Sequence, residues 1–142
     1  MDKLEFRLNI SKGFYGTSES VSILINNINL MDIIRYKDDN KSKNSFNRFS
    51  ELGLRDICNA LYYRDKEYWF EDDLFSVLGC CCGEKDCGPF RVRIIEMENS
   101  IIWTDFDSRN KIINKNIIKF EFEKSQYLEQ VKNLSDLLKS DY

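Results

Sequence analysis

The chain has 142 residues, 42% of them apolar and 13% aromatic, a length at which one domain encloses a single core. Its 21 basic and 24 acidic residues leave a net charge of −3 and are interspersed, so there is no basic surface of the kind that binds nucleic acid phosphates. No apolar run reaches the length of a bilayer span, and "MDKLEFRLNI" alternates charged and apolar residues where a secretory signal would be continuously apolar, so the expected protein is cytoplasmic and off the membrane.

Leu4, Phe6, Leu8 and Ile10 alternate with Glu5, Arg7 and Asn9, the period of a half-buried strand. Val21, Ile23 and Ile25 repeat that spacing after Gly13 and Gly16, predicting a hairpin, and Asn26-Asn27 tolerates left-handed turn geometry. Leu30, Ile33 and Ile34 predict a short helix, and "NKSKNSFNRFS" reads as a polar loop. In "LGLRDICNALYYRDKEYWF", Leu54, Ile57, Cys58 and Leu61 form a helical stripe, with Tyr62, Tyr63, Tyr68, Trp69 and Phe70 expected mainly in the core behind it and an exposed interaction patch as the lesser reading. "EDDLFSVLG" reads as a second short helix, acidic at its start and stopped by Gly79.

Phe90, Val92 and Ile94 alternate with Arg91 and Arg93, Glu98-Asn99-Ser100 turns the chain, and Ile101 to Phe106 completes a second hairpin. Ile118, Phe120 and Phe122 predict one more strand. Ser125 is placed to cap a final helix whose apolar stripe runs through Tyr127, Val131, Leu134 and Leu138, widened by Leu128 and Leu137. Residues 1–142 thus read as one α+β domain: a largely antiparallel sheet of about five strands, from two hairpins and a later strand, with helices including the C-terminal one on one face.

Four of five cysteines lie in "LGCCCGEKDCGPF". Cys80, Cys82 and Cys87 supply three thiolates for zinc, with a fourth ligand to come from Cys81, Cys58, Asp86, Glu84 or water, because the chain has no histidine. Cys-x-Cys-x4-Cys is not the paired Cys-x-x-Cys of common zinc sites, and the competing reading is small apolar side chains in a buried bend. Catalytic and redox thiols stand behind both. Cys87 and Arg93 match Cys-x5-Arg phosphatase spacing, but "PFRVRII" alternates as a strand where that chemistry needs a helix start, and without histidine there is no Cys/His dyad.

Asp105 and Asp107, with Glu96 and Glu98, form a conceivable carboxylate pair, although Arg91 and Arg93 across the hairpin are natural neutralising partners. By i, i+2 alternation Trp103 shares the face of Asp105, and it reads as core before binding anchor. The glycines match no phosphate loop or dinucleotide fingerprint.

"LGCCCGEKDCGPFRVRI", "IIWTDF" and "FEFEKSQYLEQVKNL" together resemble a group of uncharacterised bacterial proteins with a Leu-Gly-Cys-x-Cys-Gly-x-x-x-Cys-x-Pro pattern, a Trp-x-x-Phe strand and a closing Phe/Tyr helix start. The carrying positions are Cys80, Cys82, Gly83, Cys87, Pro89, Arg93, Ile94, Trp103, Phe106 and Tyr127. Phe90 stands where that pattern has leucine, and Asp107-Ser108-Arg109 where it has Pro-His-Arg. The resemblance implies no activity. The expected role is therefore that of a small non-catalytic protein binding another protein, in the manner of an immunity protein or antitoxin, with a Cys80/Cys82/Cys87 zinc domain, structural or weakly catalytic, as the alternative.

Overall fold

A computed structural model describes residues 1–14, 16–37, 49–63, 74–80, 90–108 and 119–141. The fold is α+β, with a curled antiparallel sheet of five strands, a second sheet of three, and three helices. The alternating N-terminal segment forms β1 (Leu4–Gly13), antiparallel to β2 (Gly16–Ile25), and β3 (Ile28–Asn29) completes the three-stranded sheet. Asn26 and Asn27 both have positive φ, 54° and 69°, the two-residue turn whose twist matches a hairpin. The first hairpin therefore stands in a sheet of its own.

Helix α1 (Leu30–Lys37) buries Leu30 and Ile34 as its spacing predicts. The polar loop reading fails at its end, where Phe49–Glu51 forms β4, an edge strand. Helix α2 (Leu54–Leu61) buries Leu54, Ile57, Cys58 and Leu61. The expected second helix is instead strand β5 (Leu74–Cys80), with Gly79 inside it. "FSVL" is buried at every position, on both faces of a strand that lies between β4 and β6, and such a run carries no alternation to separate strand from helix.

The second hairpin is β6 (Phe90–Glu96) with β7 (Ser100–Ser108), followed by β8 (Phe120–Glu123) and α3 (Lys124–Asp141). Ile118 lies outside the described residues. Helix α3 starts at Lys124, so Ser125 is already inside it, and its hydroxyl donates to Glu123 Oε1 instead of capping the helix. Tyr127, Val131 and Leu134 are buried as expected, but Leu128 and Leu137 are exposed.

The three-stranded sheet is joined to both ends of the five-stranded one. Asp2 N donates to Glu121 O (2.8 Å) and its Oδ2 accepts from Glu121 N (2.9 Å), while Asn26 Nδ2 donates to Asp2 Oδ1 (2.8 Å). At the other end Val21 N donates to Leu52 O (2.8 Å), and Asn29 Nδ2 donates to Glu51 Oε2 (3.2 Å). Side chains thereby occupy edge groups that would otherwise template pairing with another chain.

Gln126 does the same from α3: its Oε1 accepts from Leu4 N (3.1 Å) and its Nε2 donates to Leu4 O (2.6 Å), imitating a neighbouring strand. Gln126→Ala leaves both main-chain groups of a buried residue unsatisfied. We expect a loss of about 1–3 kcal/mol in denaturant unfolding.

The core lies where α2 and α3 meet the strands. Rings run through it from β6 to α3: Phe90 stacks on Phe106 (5.2 Å between centroids), Phe106 meets Phe120 (5.8 Å), and Trp103 meets Phe122 edge-on (5.3 Å). Trp103, Phe122 and Tyr127 are fully buried, and Trp103 Nε1 donates to the Tyr127 hydroxyl (3.1 Å). Trp103 is therefore a core residue with its polar handle satisfied.

Candidate functional site

Between α2 and α3 the surface opens into a groove of about 560 Å³ lined by Leu61, Tyr62, Glu96, Leu128, Val131 and Lys132. Its floor follows from amphipathic geometry, because Leu61 and Val131 belong to the buried stripes of the two helices. Its walls do not. Tyr62, just past the end of α2, is 40% exposed, and Leu128, one residue after buried Tyr127, is 44% exposed.

Tyr62 and Tyr63 amides both donate to Cys58 O (2.9 and 3.0 Å), so the last helical turn fixes where their rings project. The rings meet edge-on at 4.9 Å, and Lys139 Nζ lies 5.9 Å from the Tyr62 centroid, within cation–π range. At the other end Lys124 Nζ sits 3.9 Å from Glu96 Oε2 and 3.1 Å from Met97 O, holding the β6–β7 turn against the start of α3. Tyr62 and Tyr63, expected mainly in the core, are thus exposed, and Tyr62 borders the groove; Tyr68, Trp69 and Phe70 lie outside the described residues.

Of the sequence-predicted metal ligands, Cys82 and Cys87 lie outside the described residues, as do Cys81, Glu84 and Asp86. Cys80 is the last residue of β5, paired through its backbone with Phe49. Leu78 pairs with Phe90, so the segment bearing the cysteines connects two adjacent antiparallel strands and not a helix to a strand. Cys58 is fully buried on α2, and burial pushes its thiol up to about 11, which suits a neutral apolar side chain and opposes a thiolate ligand or nucleophile. Among the described residues no group of three His, Cys, Asp or Glu side chains is arranged to hold a metal ion.

The carboxylate reading is also corrected. Arg93 pairs with Thr104 and Arg91 with Asp107, so Asp105 and Phe106 together face the single residue Val92 in a β-bulge, with Asp105 at φ 52°. The extra residue breaks the alternation: Phe106, not Asp105, joins Trp103 in the core. Asp105 turns outward, where its Oδ2 lies 3.3 Å from Arg93 Nη1, the cross-strand partner anticipated. Glu96 lies at the opposite end of β6, paired to Lys124, and Glu98 is in the exposed turn, so neither converges with Asp105.

An aspartate in the left-handed region tolerates asparagine best. Asp105→Asn should leave stability almost unchanged, since an ion pair this exposed is worth about 0–1 kcal/mol. Asp105→Val, whose β-branch clashes at positive φ, should cost about 1–2 kcal/mol in the same unfolding assay.

Phe14, at the tip of the β1–β2 hairpin, is 97% exposed. An apolar floor, tyrosine walls and a charged rim are features of docking surfaces. Sequence reasoning missed the groove because it put Leu128 into the core stripe. The available signal was the lysine at positions 124, 132 and 139 around it. No helix among the described residues is long and apolar enough to cross a membrane. No protein-family model, no curated protein and no solved structure matches the chain.

Proposed function

We propose that this protein is a non-catalytic binding module that holds another protein in the α2–α3 groove, the kind of task an immunity protein or antitoxin performs. The observation that carries this reading is the pairing of Tyr62 and Leu128 as exposed walls over the apolar floor of Leu61 and Val131. A tyrosine anchored at the end of one helix and a leucine on another, both half out of water, lose little further freedom when covered, which favours binding. Supporting it, Asp105 and Glu96 are each ion-paired and lie apart, and the Cys58 thiol is buried, so these three groups form no nucleophile–base pair.

Leu128→Asp tests it. The side chain is exposed on a helix, so stability should change by less than about 1 kcal/mol. Wild-type protein introduced into its source cell should recover one stoichiometric partner, which Leu128→Asp loses and Phe14→Ser, at the remote hairpin tip, retains. A partner held equally by Leu128→Asp would remove the groove from the account.

The alternative is a zinc-stabilised domain using Cys80, Cys82 and Cys87. What favours it is the pairing of Leu78 with Phe90, which ties together the two strands that flank the cysteine segment; ligands on a short connection between paired strands need little chain ordering to converge. About one equivalent of zinc in protein purified without added metal supports it, and less than about a tenth removes it, because structural sites bind tightly.

A further inference from the structure

We infer that the partner presents an acidic amphipathic segment to the groove, one or more large apolar side chains flanked by aspartate or glutamate. This rests on the reading of the groove as a protein-binding surface and adds the chemistry of what it binds. On α3, Lys124, Leu128, Lys132 and Lys139 fall at i, i+4, i+8 and i+15, one stripe of the helix on the side of Leu128. The acidic residues Glu129 and Asp136 lie roughly 80–100° around the helix from Leu128, flanking Lys132 at i−3 and i+4 on the side away from Leu128.

Each lysine is tied to the groove by an observed contact or lining position. Lys132 lines it, Lys139 lies over the Tyr62 ring, and Lys124 reaches Glu96. Glu96 is the one carboxylate in the described lining and already has Lys124 at 3.9 Å. Among the described residues, Lys132 and Glu96 balance within the lining and Lys124 and Lys139 at its border leave an excess of lysine there, on a chain whose net charge is −3. Which sign a docking segment meets is decided at short range, because charges are screened over about 8 Å at physiological ionic strength. The apolar floor requires large apolar side chains, and the lysine rim requires carboxylates beside them.

The test uses fluorescein-labelled, end-blocked amphipathic peptides of about sixteen residues, enough for four helical turns, with the same leucine and tryptophan face and glutamate, glutamine or lysine flanks. Full-length protein should bind the glutamate peptide at least about tenfold more tightly than the lysine peptide, with the difference shrinking as salt rises. Lys132→Glu with Lys139→Glu should weaken the glutamate peptide about tenfold and strengthen the lysine peptide.

If Leu128→Asp abolishes binding while all three peptides bind alike, or while the double reversal changes nothing, the acidic partner is wrong and the binding groove stands. If no peptide binds and the cellular partner is also indifferent to Leu128→Asp, both fall. The chain's own "EYWFEDD", at 67–73 and outside the described residues, has the same chemistry. If peptides bind only after Tyr68, Trp69 and Phe70 are replaced by serine, the occupant is this stretch and the proposal of an external partner is overturned.

Discussion

Trp103→Ala is expected to lower unfolding stability by about 3–5 kcal/mol, which leaves a large fraction of the protein unfolded where the parent lies near the bottom of the ordinary range of about 5–15 kcal/mol. The side chain is fully buried and touches Phe122 and Tyr127, whose centroids lie 5.3 and 6.1 Å away, so its removal opens a cavity where β7, β8 and α3 meet. Rings held from three elements cannot all close into that space. Tyr127→Phe separates the polar part from the packing: it keeps the ring and removes the acceptor of the Trp103 indole N–H (3.1 Å). A buried donor without a partner costs about 1–3 kcal/mol, so Tyr127→Phe should fall clearly between wild type and Trp103→Ala. Equal losses for the two would mean that the hydrogen bond, and not the packing, dominates.

The second large effect is a pH dependence at Cys58. Burial raises its thiol from 9.0 to about 11 in the folded protein, so the folded state holds the proton more tightly than the unfolded chain. Stability from this group is fully present below pH 9 and is lost as pH rises from about 9 to about 11. Two pH units correspond to about 2–3 kcal/mol. Cys58→Ala removes the titration and leaves a small cavity, so it should be the less stable protein at pH 7 and should lose less stability on going to pH 11. The wild-type minus Cys58→Ala difference, followed by chemical unfolding across that range, cancels the tyrosines and lysines that titrate in both. A difference that stays constant with pH would place the Cys58 thiol in contact with water. In the same account, thiol reagents at pH 8 should reach Cys58 only on unfolding.

How much of this was legible in the sequence depended on whether a residue's role shows as a period. Phe90 to Ile94 and the Tyr127, Val131, Leu134 stripe announce their elements because one face is wet and the other dry, while in Leu4 to Ile10 the alternation marks the strand although only Leu4 is buried and Ile10 is exposed. Strand β5 fails that test: Phe75, Ser76, Val77 and Leu78 are all buried, so the pattern has no polar beat, and the preceding acidic triplet imitates a helix start. The bulge at Asp105 is silent because aspartate, unlike glycine, does not mark positive φ, and one inserted residue exchanges Asp105 for Phe106 on the core face. Leu128 shows the reverse problem. It is apolar and adjacent to the core stripe, and only the docking of α3 against α2 decides that it faces a groove. The two asparagines at 26 and 27, whose turn chemistry is local, were readable.

The account turns on the α2–α3 groove being covered by another protein in the cell. A photo-crosslinking amino acid placed at Leu128, with a control at exposed Lys12 on β1, tests this directly in the source organism. Irradiation should give one discrete adduct of defined mass from position 128, absent from position 12 and lost when Lys132 and Lys139 are both reversed to glutamate. No adduct at 128, or the same adduct from both positions, would contradict it.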